Sequence, residues 1–187
     1  MTLSAFEKAS LVEELARKEI LPYLIATCDK VDDTDRCLFL QKTVGDFMAT
    51  KNGQQYGIEL KAEESNKYDN FFLETWSNKK YRTPGWMVTC QADYLFYYFV
   101  AERRLYILNF KKITKWAFGF VDEESNAVDG QIYKYPEKPQ KKYDQLNDTW
   151  GRCVPIEDLL KGISPAWKLL TAADMEPAIN SMQREAA

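Results

Sequence analysis

The fold is decided by the stretch Val44-Gly-Asp-Phe-Met-Ala-Thr-Lys-Asn-Gly-Gln-Gln-Tyr-Gly-Ile-Glu-Leu-Lys-Ala62. Asn52-Gly53 at its middle is the pair preferred in a two-residue type I′ turn, where both positions need positive φ. The flanking residues read as two strands, so the stretch is an antiparallel hairpin. With Asn52 and Gly53 as the loop, Lys51 faces Gln54, and the ladder runs back to Phe47 facing Ile58 and Asp46 facing Glu59. Strand side chains alternate between faces. One face carries Phe47, Tyr56, Ile58 and Leu60 and supplies core. The other carries Asp46, Glu59 and Lys61.

Carboxylates directly opposed on a sheet sit about 5 Å apart at Cβ and repel each other. A divalent cation between them removes the repulsion, acts as a Lewis acid and lowers the pKa of bound water. A lysine two residues along can orient that water or stabilise developing charge. This is phosphodiester hydrolysis chemistry, and the composition agrees with it. The chain of 187 residues has no histidine. That excludes Ser-His-Asp and Cys-His catalysis and every His-ligated metal. Chemistry must come from carboxylates, lysines, hydroxyls or thiols, and carboxylates favour hard cations such as Mg²⁺, Mn²⁺ or Ca²⁺. The cysteines, Cys28, Cys37, Cys90 and Cys153, form no CxxC pair and read as reduced, partly buried thiols.

Around the hairpin, Ser4-Ala5-Phe6-Glu7 has capping-box spacing and opens a helix to about Leu21. The acidic segment Asp29 to Asp35 reads as a loop or linker. Phe71 to Trp76, Ala92 to Val100 and Leu105 to Phe110 read as strands, the last two as a further hairpin. Lys111 to Ala117 starts a helix. Asp122 to Lys142 reads as a long loop, and Pro155 opens a short helix. The last dozen residues read as frayed. Helix, then strands, then helices is an α+β arrangement, an α/β sandwich with a central mixed sheet flanked by helices. The length fits one domain over 1–187, with a core over about 4–120 and an extension over about 121–187. No leader or membrane span is visible. The expectation is a soluble, cytoplasmic protein with no membrane partner.

Asp46, twelve residues, then Glu59-Leu60-Lys61 resembles the Asp…Glu-x-Lys signature of the PD-(D/E)XK nuclease superfamily. Asn70-Phe-Phe-Leu-Glu-Thr-Trp76, Thr83-Pro-Gly85 and Gln91-Ala-Asp-Tyr94 look like its phage and Holliday-junction-resolvase-like members. The resemblance covers residues 40–110. Gly45 stands where the motif often has proline. The resemblance implies a restriction-endonuclease-like core of αβββαβ order and metal-dependent cleavage of DNA. Asp46, Glu59 and the Leu60 carbonyl would hold Mg²⁺ or Mn²⁺, and Lys61 would assist the attacking water. Some members add a glutamate from the first helix, a place that Glu13 or Glu14 could fill. Glu74 would lie behind the site and orient Lys61 or a metal-bound water. A homodimer would suit branched substrates. If phage-encoded, the chain would act in the host cytoplasm.

The net charge of −3 hides a division. Residues 76–115 hold eight basic and two acidic residues, an excess of +6 against −9 over the rest. Lys79, Lys80 and Arg82 are candidate contacts to a DNA backbone. Trp76, Tyr81 and Trp86 among them could stack on unpaired bases. Lys138, Lys141 and Lys142 could add a clamp. The alternative from another class is a catalytically silent nuclease-like fold that binds nucleic acid or a host protein.

Overall fold

The structure is a computed structural model that describes residues 5–34, 37, 41, 43–140 and 148–185. Its contacts divide the chain into two compact units. The first comprises residues 1–66, 91–108 and 168–187; the second comprises residues 67–90 and 109–167.

The first unit is α+β. Helix α1 (Ala5–Thr27) leads into β1 (Lys30–Asp33), β2 (Phe47–Lys51) and β3 (Gln54–Glu63). After the excursion into the second unit come β6 (Tyr94–Phe99) and β7 (Arg104–Asn109), then β12 (Trp167–Leu170) and α5 (Ala172–Glu185). The six-stranded sheet has the order β1-β2-β3-β6-β7-β12. It is mixed: β1, β2 and β3 are antiparallel, while β6 runs parallel to β3. The hairpin has the register expected from its turn, from Lys51 opposite Gln54 to Phe47 opposite Ile58. Asn52 and Gly53 both have positive φ, at 52° and 74°, as a type I′ turn demands.

Ala16, Ile20 and Leu24 recur every fourth residue along α1 and are buried against Phe47, Ala49, Ile58, Leu60, Phe96 and Tyr98. Met175 of α5 joins the same cluster. Burying each large apolar side chain contributes about 1.5–3 kcal/mol, so this face anchors the sheet. Pro22 lies within α1, and the helix runs six residues past the expected end. Burial of Leu24 outweighs the hydrogen bond that a proline removes. Ser4, the expected cap, lies outside the described residues.

Several expectations change. Lys30–Asp33 is a strand rather than a loop. It is an edge strand, where charged residues discourage further pairing. The last dozen residues continue α5 as far as Glu185. Thr171 caps that helix: its N–H and hydroxyl both donate to Asp174, at 2.8 and 2.6 Å. Asp174 is held below the ordinary carboxylate range by these two bonds.

The second unit holds β4 (Asn70–Asn78), β5 (Thr83–Pro84), β10 (Glu137–Pro139) and β11 (Trp150–Pro155) in a sheet of order β10-β11-β4-β5. It also holds α2 (Trp86–Thr89), α3 (Phe110–Phe118), the ribbon β8 (Gly119–Val121) with β9 (Ala127–Asp129), a 3₁₀ turn over Ile132–Lys134 and α4 (Ile156–Gly162). The stretch read as a long loop from Asp122 to Lys142 thus contains the second strand of the ribbon, a 3₁₀ turn and strand β10. Lys141 and Lys142 lie outside the described residues. Phe71 to Trp76 is a strand, but not a strand of the six-stranded sheet. It pairs with β11 in the second unit. The neighbour of β3 is instead β6, whose residues Leu95 to Phe99 are all buried, as a parallel central strand requires.

Glu137 ties this second sheet together. It accepts from Thr75 Oγ1 at 2.9 Å, from Trp76 Nε1 at 3.1 Å and from Lys79 Nζ. Burial pushes its carboxyl up, but Lys79, Thr75 and Arg152 outweigh that and hold it low. A depressed carboxyl stabilises the fold above its unfolded value, and that stability is lost as pH falls through the folded value. In Glu137→Gln, the acid limb of stability below about pH 4.3 therefore flattens. Urea titrations at graded pH measure this.

Candidate active site: carboxylates around Lys61

Gly45 controls the approach to the site. Its φ is +93°, and a Cβ there would stand 2.5 Å from the Ile58 carbonyl oxygen. Only glycine allows the chain to enter the hairpin this close to β3. The entry is held by buried Thr34, whose hydroxyl donates to the Gly45 carbonyl at 2.6 Å and whose N–H donates to the Asp46 carbonyl at 3.1 Å. The β2–β3 ladder therefore starts at Phe47, and Asp46 sits in the bend just before it. Asp46 is not a ladder partner of Glu59, which corrects the expected direct opposition. Its carboxylate turns across to β3 and accepts from the Leu60 N–H at 2.7 Å.

Glu59 is 7% exposed, one of two buried polar side chains among the described residues. Lys61 Nζ lies 2.6 Å from Glu59 Oε1. Desolvation pulls the Lys61 ammonium down, but Glu59, Asp46 and Glu13 together outweigh it and hold it above its ordinary value. The hairpin thus brings Asp46, Glu59 and Lys61 together, and the charge of Glu13, exposed on α1, adds to the field that raises Lys61. Glu14 is turned to solvent and pairs with Lys18 at 2.6 Å.

Arg17 is the residue that sequence reasoning missed. Its guanidinium lies 2.7 Å from Asp33 and 3.4 Å from Asp46, and 4.6 Å from the centre of the Phe47 ring. The available signal was spacing. Arg17 follows Glu13 by four residues, which puts both on one stripe of the helix.

The remaining expected residues are placed as follows. Glu74 is on β4, in the second unit. Lys79, Lys80 and Arg82 are also in the second unit. Lys79 is engaged by Glu137, and its ammonium lies 3.9 Å from the centre of a Trp150 ring. To serve as the expected phosphate contact, Lys79 must exchange Glu137 for the phosphate. Lys80, Arg82 and Tyr81 are exposed. Trp76 donates to Glu137, and Trp86 packs on Phe110 at 6.1 Å, so both serve the fold. Arg103, counted in the basic segment, is held by Glu19 and Glu176, each at 2.8 Å. Asp93 serves the strand entry, accepting from the Gly57 N–H at 3.0 Å.

Among the described residues, no three or more Cys, Asp or Glu side chains gather closely enough to form a metal cage. Two carboxylates with a main-chain carbonyl remain as a hard-oxygen donor set. That set fits Mg²⁺ or Mn²⁺, which keep several waters and take only one or two carboxylates. No helix among the described residues is long and apolar enough to cross a membrane. Comparison with family models, curated proteins and solved structures finds no match to this chain.

Proposed function

We propose that this protein is a divalent-metal-dependent nuclease that hydrolyses DNA phosphodiester bonds at the base of the β2–β3 hairpin. The observation that carries this reading is the Lys61 ammonium 2.6 Å from the buried Glu59 carboxylate, with the Asp46 carboxylate bonded to the N–H of Leu60 between those two residues. It arises within the Asp…Glu-x-Lys spacing that resembles the PD-(D/E)XK signature. The order α1-β1-β2-β3, followed by β6 parallel to β3, supports it. It follows the αβββαβ order implied by the resemblance, except that β4, β5 and the four-residue α2 fill the crossover.

Asp46, Glu59 and the Leu60 carbonyl would hold Mg²⁺ or Mn²⁺. The ion, when bound, supplies Lewis acidity and a more acidic water. Lys61 stays protonated at neutral pH and is placed to hold the attacking water or neutralise charge on the phosphate. Glu59 positions the ammonium through its 2.6 Å contact. Arg17 restrains Asp46 from the other side. Lys80 and Arg82 remain candidates for the DNA backbone, and a homodimer remains part of the proposal for branched substrates.

A second reading, a nuclease-like fold that binds without cutting, has one observation in its favour. Lys61 and Arg17 lie against the two carboxylates, so the pair has counter-charges within the chain itself. A cleavage panel separates the two readings. Linear, nicked, single-stranded and branched DNA are offered with Mg²⁺, Mn²⁺ or chelator, to wild type and to Asp46→Asn. The proposal expects metal-dependent cutting of at least one form, absent in the variant. No cutting of any form, with Mn²⁺ nevertheless bound, favours the silent fold.

The helix carboxylate gives a sharper expectation. Glu13→Gln lowers the cleavage rate about tenfold, the effect of losing the first-helix carboxylate that the resemblance adds behind the metal. Glu14→Gln leaves the rate unchanged. Equal effects in the two variants would take the first helix out of the site.

A further inference from the structure

The second unit contains a cavity of about 430 Å³, within the roughly 300–1,000 Å³ of small-molecule sites. It is lined by Lys112, Lys115 and Trp116 of α3, Phe120 and Val128 of the ribbon, and Asp129. None of these residues belongs to the carboxylate cluster around Lys61.

The apolar part of the lining is unusual for a surface. Phe120 and Val128 are directly opposed on a two-stranded ribbon, so they share a face. They remain 41% and 39% exposed. Trp116 adds an indole whose place is set by Gly162. A Cβ at Gly162 would stand 2.1 Å from Trp116 Nε1, so the indole lies directly against that backbone. Tyr135 packs on Trp116 with ring centres 6.3 Å apart.

The polar part is cationic. Lys112 and Lys115 are three residues apart on α3, and therefore neighbours on one helix face. Both are exposed, and neither forms an ion pair with a described residue. Lys115 Nζ is 5.5 Å from the centre of the Phe120 ring, which brings charge beside the aromatic wall. Asp129 is the one carboxylate in the lining.

Aromatic surface, two exposed ammonium groups with no ion pair among the described residues, and one acceptor select among ligand classes. A hydrocarbon ligand would leave both lysines without a counter-charge. A bare inorganic anion would leave the Trp116, Phe120 and Val128 surface uncovered. We propose that this cavity binds a nucleotide, with the base against Trp116, Phe120 and Val128 and the phosphate on Lys112 and Lys115. Asp129 accepts from a sugar hydroxyl or a base N–H. Base stacking and charge-assisted phosphate contacts are the interactions these residue types supply. The nucleotide could be free or one unit of a single strand.

Calorimetry at fixed low salt tests this with adenosine monophosphate, adenosine, inorganic phosphate and a short oligodeoxyadenylate. Adenosine monophosphate binds saturably, one per chain, and adenosine and phosphate each bind at least about tenfold more weakly. The exposed pair of changes Lys112→Gln and Lys115→Gln leaves the melting temperature in place and weakens the monophosphate about tenfold or more. An oligonucleotide that binds at least about tenfold tighter than the monophosphate identifies a strand as the source. Equal or weaker binding identifies the free nucleotide. Saturation by neither, or affinity unchanged by the lysine substitutions, overturns the proposal.

Discussion

Under the proposed nuclease function, Lys61→Met is expected to abolish DNA cleavage and to destabilise the protein, and a second substitution, Glu59→Gln, to restore only the stability. The Lys61 ammonium lies 2.6 Å from Glu59 Oε1, and Glu59 is 7% exposed. Removing the cation alone takes away the ammonium that lies 2.6 Å from a nearly buried carboxylate. Such a loss costs 3–5 kcal/mol in a fully buried pair; the 27% exposure of the Lys61 side chain reduces it here to about 2 kcal/mol. Removing both charges takes away the nearly buried negative charge as well, and most of the stability returns. Cleavage does not return, because removing one group that stabilises developing charge costs about 10²–10³ in rate. Urea denaturation beside a cleavage assay reads both quantities. A single variant that cuts at the wild-type rate takes Lys61 out of the chemistry. The raised pKa of Lys61 has a further consequence. A lysine held above its unfolded value stabilises the fold fully below about pH 10.4, and the stability is lost only as pH rises through the higher folded value. Wild-type stability therefore carries no slope from Lys61 between about pH 6 and 9.

Gly45→Ala destabilises the first unit more than any substitution in the hairpin turn. Two penalties coincide at this glycine. Its φ of +93° is strained for any L side chain, and a Cβ would stand 2.5 Å from the Ile58 oxygen and 2.8 Å from the Glu59 nitrogen. Backbone atoms in a ladder cannot give way cheaply, so the expected cost is about 3 kcal/mol or more. Gly53→Ala isolates one of the two penalties. Gly53 has a φ of +74° with nothing within 4 Å of its added Cβ, so it costs only about 1 kcal/mol. At this chain length the Gly45 change lowers the melting temperature by roughly 6–12 °C. Because Asp46 is the next residue, its bond to the Leu60 N–H is disturbed as well, and cleavage falls with stability. Equal melting of the two alanine variants would mean that the close approach at Gly45 carries no weight.

The hairpin was legible because Asn52-Gly53 admits one register, and a slip of one residue would have sent Phe47 and Ile58 to the wrong face. Glu59 and Lys61 followed from that register alone. Asp46 did not, because pairing periodicity holds only inside a ladder, and Gly45 starts the ladder one residue later than the pattern suggests. The place of Phe71 to Trp76 was also illegible. Its period-2 pattern marks a strand but does not name its partner, and β11 lies about eighty residues on. Arg17 and Lys79 show a third limit. Charged residues read as solvated or ligand-binding until the carboxylates that engage them, Asp33 and Asp46 for one and Glu137 for the other, are brought near by the fold.

The central claim is that the cluster around Lys61 cleaves DNA with a divalent ion. Single-turnover cleavage of linear and branched DNA tests it most directly, comparing wild type with Glu59→Gln/Lys61→Met in the presence of Mn²⁺ or of chelator. The account predicts that wild type cuts at least one form only when Mn²⁺ is present, and that the folded double variant cuts none. A wild-type protein that cuts no form, or a double variant that cuts as fast as wild type, would contradict it.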